Sequence, residues 1–221
     1  MKIVIKGGSA EVSVSKSRFI ANVFPAASAD EAFAILADMK KKYWDARHNC
    51  HAFVIGPQNE TAHSSDDGEP QGTAGQPILQ VLTTSEVRNC LIIVTRYFGG
   101  VLLGTGGLIR AYTAAAKAGL DASTIAEQKN GYLLRIRCSY EQLGKVQYLI
   151  AASSLPVITS SYTDCCETQV LVSSSSLSSV KADLTEKTAG RVSFPGEDRV
   201  QYVTVSDGTV RDIQPLGNNS S

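Results

Sequence analysis

The chain has no net charge, no long apolar run and few aromatic side chains. Its 21 basic and 21 acidic residues cancel, and they cancel on each side of Gln128 too, 12 against 12 and 9 against 9. That balance excludes the bulk positive field of a strong nucleic-acid binder, while a local basic patch stays compatible with it. No stretch approaches the roughly 18 apolar residues of a membrane-spanning helix. The N-terminal stretch lacks the apolar core and cleavage site of a signal peptide. The five cysteines, Cys50, Cys90, Cys138, Cys165 and Cys166, are odd in number and irregular in spacing. They do not read as a disulfide framework, so reduced thiols and a cytoplasmic location are expected. No Cys-x-x-Cys, Gly-x-Ser-x-Gly or His-Glu-x-x-His occurs, which removes the common redox, hydrolase and zinc-protease signatures. No membrane contact, cofactor or bound metal is expected. The oligomeric state stays open.

What is present suits one large or two small domains: 221 residues, 43% of them hydrophobic. A strand-like run, 18–24, stops at Pro25. Ser28-Ala-Asp-Glu31 reads as a capping box, and Phe33, Leu36, Met39 and Tyr43 follow at helical spacing. Lys40, Lys41 and Lys42 on that helix read as a solvated face. Residues 51–55 read as a strand that 61–64 can pair with. Residues 65–72 are dense in turn formers, and a short helix fits 74–83. Residues 90–95 form a continuously apolar, β-branched run, as in a strand buried on both faces. Five glycines then fall among the nine positions 99–107. They predict a loop before a helix marked by Leu108, Tyr112, Ala115, Ala116 and Leu120.

Beyond Asn130-Gly131 the order becomes strand, helix, strand, then strand, helix, strand. The strands fall at 132–138, 157–162, 168–172 and 199–205. One helix follows a second capping box, Ser139-Tyr-Glu-Gln142, and another carries Leu177, Val180 and Leu184. That order is the βαββαβ, or ferredoxin-like, plan. The expectation is therefore an α+β protein with domains at 1–128 and 129–215 and a disordered tail at 216–221.

Three segments carry candidate chemistry. Asp66, Asp67 and Glu69 put three carboxylates into four positions, enough to hold a hard cation or a basic group, or simply to build a turn. Thr73 and Gly75 lie at a helix start whose free amides can receive an anion. In the second segment, Gly99, Gly100, Gly104 and Gly107 belong to a glycine-rich connection between strand and helix, where amides can cradle phosphate or backbones can pack closely. It ends in neither a Gly-Lys-Ser/Thr nor a Gly-x-Gly-x-x-Gly, because position 109 is Ile109, so it is no known nucleotide fingerprint. Arg96 and Arg110 flank it and can clamp a phosphate or carboxylate. A pairing of Arg96 with Asp66 or Glu69 is the preferred structural expectation. The third segment, Arg47-His-Asn-Cys-His51, places His48 and Cys50 on one face of a strand and His51 on the other. Two such groups are too few for a zinc site, and Cys50 reads as a buried strand residue rather than a nucleophile.

Taken together, Ala46-Arg-His-Asn-Cys50, Asp66-Asp-Gly-Glu-Pro-Gln-Gly-Thr-Ala-Gly-Gln-Pro77 and Arg96-Tyr-Phe-Gly-Gly-Val-Leu-Leu-Gly-Thr-Gly-Gly-Leu-Ile-Arg-Ala-Tyr112 resemble the IMPACT/YigZ family in its two-domain bacterial branch. His51 departs from that pattern, standing where an aromatic residue is more usual. The resemblance implies a first domain like the second domain of a small-subunit ribosomal protein and domain IV of elongation factor G. It implies a second domain similar to domain V of that factor. Both related folds touch RNA, so an RNA- or ribosome-associated binding protein is the first functional expectation, with translation regulation as a role the resemblance allows. The eukaryotic relatives restrain a starvation-responsive kinase through an additional N-terminal domain, and that partnership is not carried over. A protein-interaction module without catalysis is the second reading. An enzyme or sensor of a small anion in the cleft between 66–75 and 96–110 is the third.

Overall fold

Strand Cys90–Tyr97 is where the first half of the chain is built, because its residues from Cys90 to Arg96 are all buried. The computed structural model describes residues 1–205 and 209–216, without the side chain of Arg211. It divides into two compact units, Met1–Glu127 and Gln128–Ser221.

In the first unit the elements are β1 (Lys2–Lys6), β2 (Ser9–Val14), β3 (Ser17–Pro25), α1 (Ala29–Lys42), β4 (His48–Ile55), β5 (Thr61–Ser65), α2 (Gly75–Thr84), β6 (Val87–Arg88), β7 (Cys90–Tyr97), α3 (Gly104–Asp121) and the start of β8 (Thr124–Cys138). The main sheet runs β2-β3-β7-β4-β5, and every pairing in it is antiparallel. One face packs on α2 and α3 through Cys50, Ala52, Val54, Ile92 and Val94 against Ile78, Leu82, Ala115 and Tyr112. The other face packs on α1 through Phe53, Leu91 and Ile93 against Leu36 and Met39. Helices on both faces explain why an antiparallel strand reads as continuously apolar instead of alternating.

Helix α1 starts as expected. Glu31 N–H donates to Ser28 Oγ at 3.2 Å, and Glu31 Oε2 accepts from Ala27 N–H at 2.7 Å. Helix α3 does not: it begins at Gly104, so Gly104, Gly106 and Gly107 form its first turn instead of ending a loop. Gly104 enters at φ +65°, which only a residue without Cβ adopts readily. Gly99 serves close packing, since a Cβ there would meet the Lys16 carbonyl carbon at 2.0 Å.

The second unit holds the rest of β8, then α4 (Tyr140–Ala152), β9 (Val157–Tyr162), β10 (Cys166–Ser173), α5 (Leu177–Lys187), β11 (Val192–Thr204) and β12 (Val210–Pro215). Its sheet runs β12-β11-β8-β10-β9. Leu134, Ile136, Val170 and Val172 pack against Val146, Ile150 and Leu184 of the two helices. Ser139 precedes α4, but its side chain makes no capping bond; the turn closes through Gln142 N–H to the Ser139 carbonyl at 3.0 Å. Strand β12 adds to the six-element order. Leu216, placed in the expected tail, donates its N–H to the Arg199 carbonyl at 3.0 Å. Residues 217–221 of that tail lie outside the described residues.

Candidate functional site

The segment between β5 and α2 is held by its own carboxylates. Asp66 Oδ2 accepts from Gly72 N–H at 2.8 Å, and Oδ1 accepts from Ala74 N–H at 3.0 Å and Gly75 N–H at 2.8 Å. The Ala74 and Gly75 amides that could receive an anion are therefore occupied by Asp66, and the Thr73 amide donates to the Pro70 carbonyl at 3.1 Å. Thr73 is turned inward, donating its hydroxyl to the Pro70 carbonyl at 2.7 Å. Asp67 accepts from Lys40 Nζ and from Asn49 N–H, each at 2.7 Å, and its carbonyl meets His48 Nδ1 at 2.9 Å. A carbonyl only accepts, so Nδ1 carries a proton, and Nε2 lies outside that contact.

Glu69 is the third carboxylate, and its side chain is 3% exposed. Its Oε1 accepts from Arg96 Nη1 at 2.6 Å and from Tyr112 Oη at 2.8 Å. Arg96, 7% exposed, lies between two rings, its guanidinium 5.4 Å from Phe19 and 5.7 Å from Phe98. Cys50 closes the buried network, with Sγ 2.9 Å from the Asp66 carbonyl and 3.3 Å from Tyr112 Oη. Burial above all, with the nearby carboxylates, pushes the Cys50 thiol up to about 12, so it stays protonated and is no nucleophile. Among the described residues no group of three His, Cys, Asp or Glu is placed to hold a metal ion.

The acidic loop and the glycine-rich connection thus meet, through Glu69 and Arg96. A cavity of about 440 Å³ opens beside that pair, lined among others by Arg47, His48, Glu69, Arg96, Phe98, Gly104 and Thr105. Of the sequence candidates only His48, Glu69, Arg96 and Gly104 reach its lining. Gly99 is committed to β3 through its N–H to Ser17 Oγ at 3.1 Å. Gly100 turns the chain at φ +85°, Gly107 lies in the helix against Leu103, and Arg110 is on the exposed face of α3. Arg47 and Phe98 were not singled out individually. Their signal is modest: an arginine beside the His48 strand, and an aromatic residue that leads into glycines. Phe98 is 53% exposed and Trp44 82% exposed. The segments that carry them are tied together by Tyr97 Oη donating to Asp45 Oδ1 at 2.7 Å.

The carboxylates give the loop a pH response. Burial raises the Asp66 carboxyl, but its three amide donors outweigh that and hold it below the ordinary value. Burial likewise raises Asp67, and Lys40 with the Asn49 amide outweighs it. Groups with a lowered folded value stabilise fully above their unfolded value, about pH 3.9, and lose that contribution as pH falls through the folded value. Urea unfolding of the first unit is therefore expected to be flat from about pH 7 to 5 and to weaken steadily below about pH 4. Asp67→Asn is expected to make that acid loss shallower, which a pH series of unfolding midpoints reads directly.

Comparison with known proteins bears on the family of the chain. Residues 15–120 match the Impact N-terminal domain, and residues 136–191 match the Domain of unknown function (DUF1949). IMPACT family member YvyE of Bacillus subtilis is 35% identical over 188 residues, covering 85% of this chain and 87% of its own. IMPACT family member YigZ of Escherichia coli is 36% identical over 151 residues, covering 67% and 74%. A crystal structure described as that of a hypothetical protein superposes with a TM-score of 0.56 at 30% identity, covering 87% of this chain and 95% of its own. With two domains matched in order and most of both bacterial relatives' lengths aligned, the chain belongs to the IMPACT family.

Proposed function

We propose that the chain is an RNA-binding protein with a translation-related regulatory role, contacting single-stranded RNA, free or within the ribosome, on the face around the Arg96 cavity. The observation that carries this reading is Phe98, a half-exposed ring 5.7 Å from a buried guanidinium at the mouth of a cavity that also holds Arg47 and His48. Aromatic rings beside arginines form the usual platform for unpaired bases, each stack being worth about 1–3 kcal/mol. The nearby Trp44 supplies a second ring. Most cations around this face are already paired: Lys40 with Asp67, Lys41 with Asp38, Arg18 with Glu11. Affinity is therefore modest, of the order of 10 µM at low salt.

Trp44 is the single tryptophan, so its fluorescence reports this face. Titration with octauridylate at about 50 mM salt is expected to quench it, and Phe98→Ala to weaken binding about tenfold. An unchanged signal, together with no co-sedimentation with ribosomes at the same salt, would sink the reading.

A further inference from the structure

The strongest unassigned feature is the set of hydrogen-bond donors around the cavity that no protein group takes up. Helix α3 has 18 residues and no side-chain cap at its start, so its first amides and the positive end of its dipole are unanswered. That alone does not make a ligand site. Arg96 provides the independent observation. Its side chain is more than nine-tenths buried and lines the cavity. Only Nη1 is engaged, on Glu69. Nε is buried without any partner, and Nη2 makes no hydrogen bond to the described residues. A buried guanidinium with donors to spare is costly unless something accepts from it.

The chemistry of that acceptor follows from the surroundings. Glu69 already neutralises Arg96. Arg47 and the α3 N-terminus are left as unbalanced positive charge. Thr105 places a hydroxyl in the first turn. Leu103 is right-handed (φ −92°, ψ −17°) and Gly104 has φ +65°, a succession that turns neighbouring N–H groups toward one point. Several donors against a single carboxylate, which Arg96 already neutralises, call for a compact oxyanion with several acceptor oxygens. At the mouth, the exposed face of Phe98 suits a flat ring attached to that anion.

We infer that this cavity is the subsite for a single nucleotide phosphate, held by the Arg96 guanidinium, Arg47 and the first amides of α3, with the attached base on Phe98. This rests on the RNA reading and makes it specific: one backbone or terminal phosphate of the bound strand seats here.

The test uses the intact chain and exposed positions, so that folding is preserved. Calorimetric titration compares uridine 5′-monophosphate, uridine and inorganic phosphate against the protein, Thr105→Glu and Arg47→Ala. The monophosphate is expected to bind at least about tenfold more tightly than uridine, because uridine lacks the oxyanion that the arginines recognise. Thr105→Glu, placing a carboxylate where the phosphate sits, is expected to weaken monophosphate binding by about tenfold or more. Arg47→Ala is expected to weaken it by a smaller factor, with thermal midpoints of both variants unchanged. Equal binding of uridine and its monophosphate would overturn the subsite. So would octauridylate binding that neither variant alters, although RNA binding itself would then stand. Conversely, monophosphate binding with the expected variant losses, but no gain from lengthening the strand, supports the subsite while removing the RNA reading.

Discussion

Glu69→Ala is expected to lower the stability of the first unit by about 3–5 kcal/mol, as removal of one partner from a buried ion pair does. The carboxylate and the guanidinium are 3% and 7% exposed, so water replaces the lost contact only in part, from the cavity side. The variant leaves Arg96 charged between Phe19 and Phe98 with no counter-ion, and it strips Tyr112 Oη of its acceptor. Burial pushes the Tyr112 hydroxyl well up from its ordinary value, so the ring stays neutral and its O–H needs that acceptor. The pair itself is not a large source of stability. Glu69→Leu combined with Arg96→Met is expected to recover most of the loss, because the desolvation cost disappears with both charges. Urea-dependent amide exchange along β7, where every residue from Cys90 to Arg96 is buried, measures both values. A single variant that costs less than about 1 kcal/mol would mean that water from the cavity compensates Arg96 fully, as at an exposed pair.

The same network shows what the sequence made legible. Strand β7 could be read because helices cover both its faces, leaving an unbroken apolar run. The Glu69–Arg96 contact could be read from charge: an acidic turn and a lone arginine after a buried strand have few other ways to be satisfied. Tyr112 could not, because it sits at helical spacing among core residues and its spacing is silent about its hydroxyl. The start of α3 was misplaced because Gly104, Gly106 and Gly107 read as breakers, yet a positive-φ glycine can open a helix. Strands β1 and β2 gave little signal, since only Val4 among their residues is buried. Strand β11 begins at Val192 rather than near Arg199 because Pro195-Gly196 mimics a turn. That an Asp of this turn caps amides is legible from its composition, but which Asp and which amides is not. The partners of Asp66 are backbone amides, and an amide looks the same whatever residue carries it.

That role leads to the second large effect. Asp66→Ala is expected to cost about 3–4 kcal/mol, less than a plain sum of three charge-assisted bonds at about 1.5–3 kcal/mol each, because the freed amides relax toward water. Helix α2 has no side-chain cap from its own N-cap residue, Ala74. The Ala74 and Gly75 amides depend on a carboxylate eight and nine positions upstream. Gly75 is already packed closely on the neighbouring segment, since a Cβ there would stand 2.7 Å from the Ser65 backbone. Losing Asp66 therefore loosens the whole turn that aims Glu69 at Arg96, because Glu69 N–H is itself anchored to the Asp66 carbonyl at 2.9 Å. Asp66→Asn separates charge from shape. It retains one acceptor oxygen but turns an NH₂ group toward amide donors, and an intermediate loss of about 2 kcal/mol is expected. Amide exchange at Gly72, Ala74 and Gly75 supplies the local readout: in Asp66→Ala it accelerates at all three before the sheet opens. If all three amides stay protected in that variant, something other than the carboxylate holds the turn, and the link from this loop to the cavity is broken.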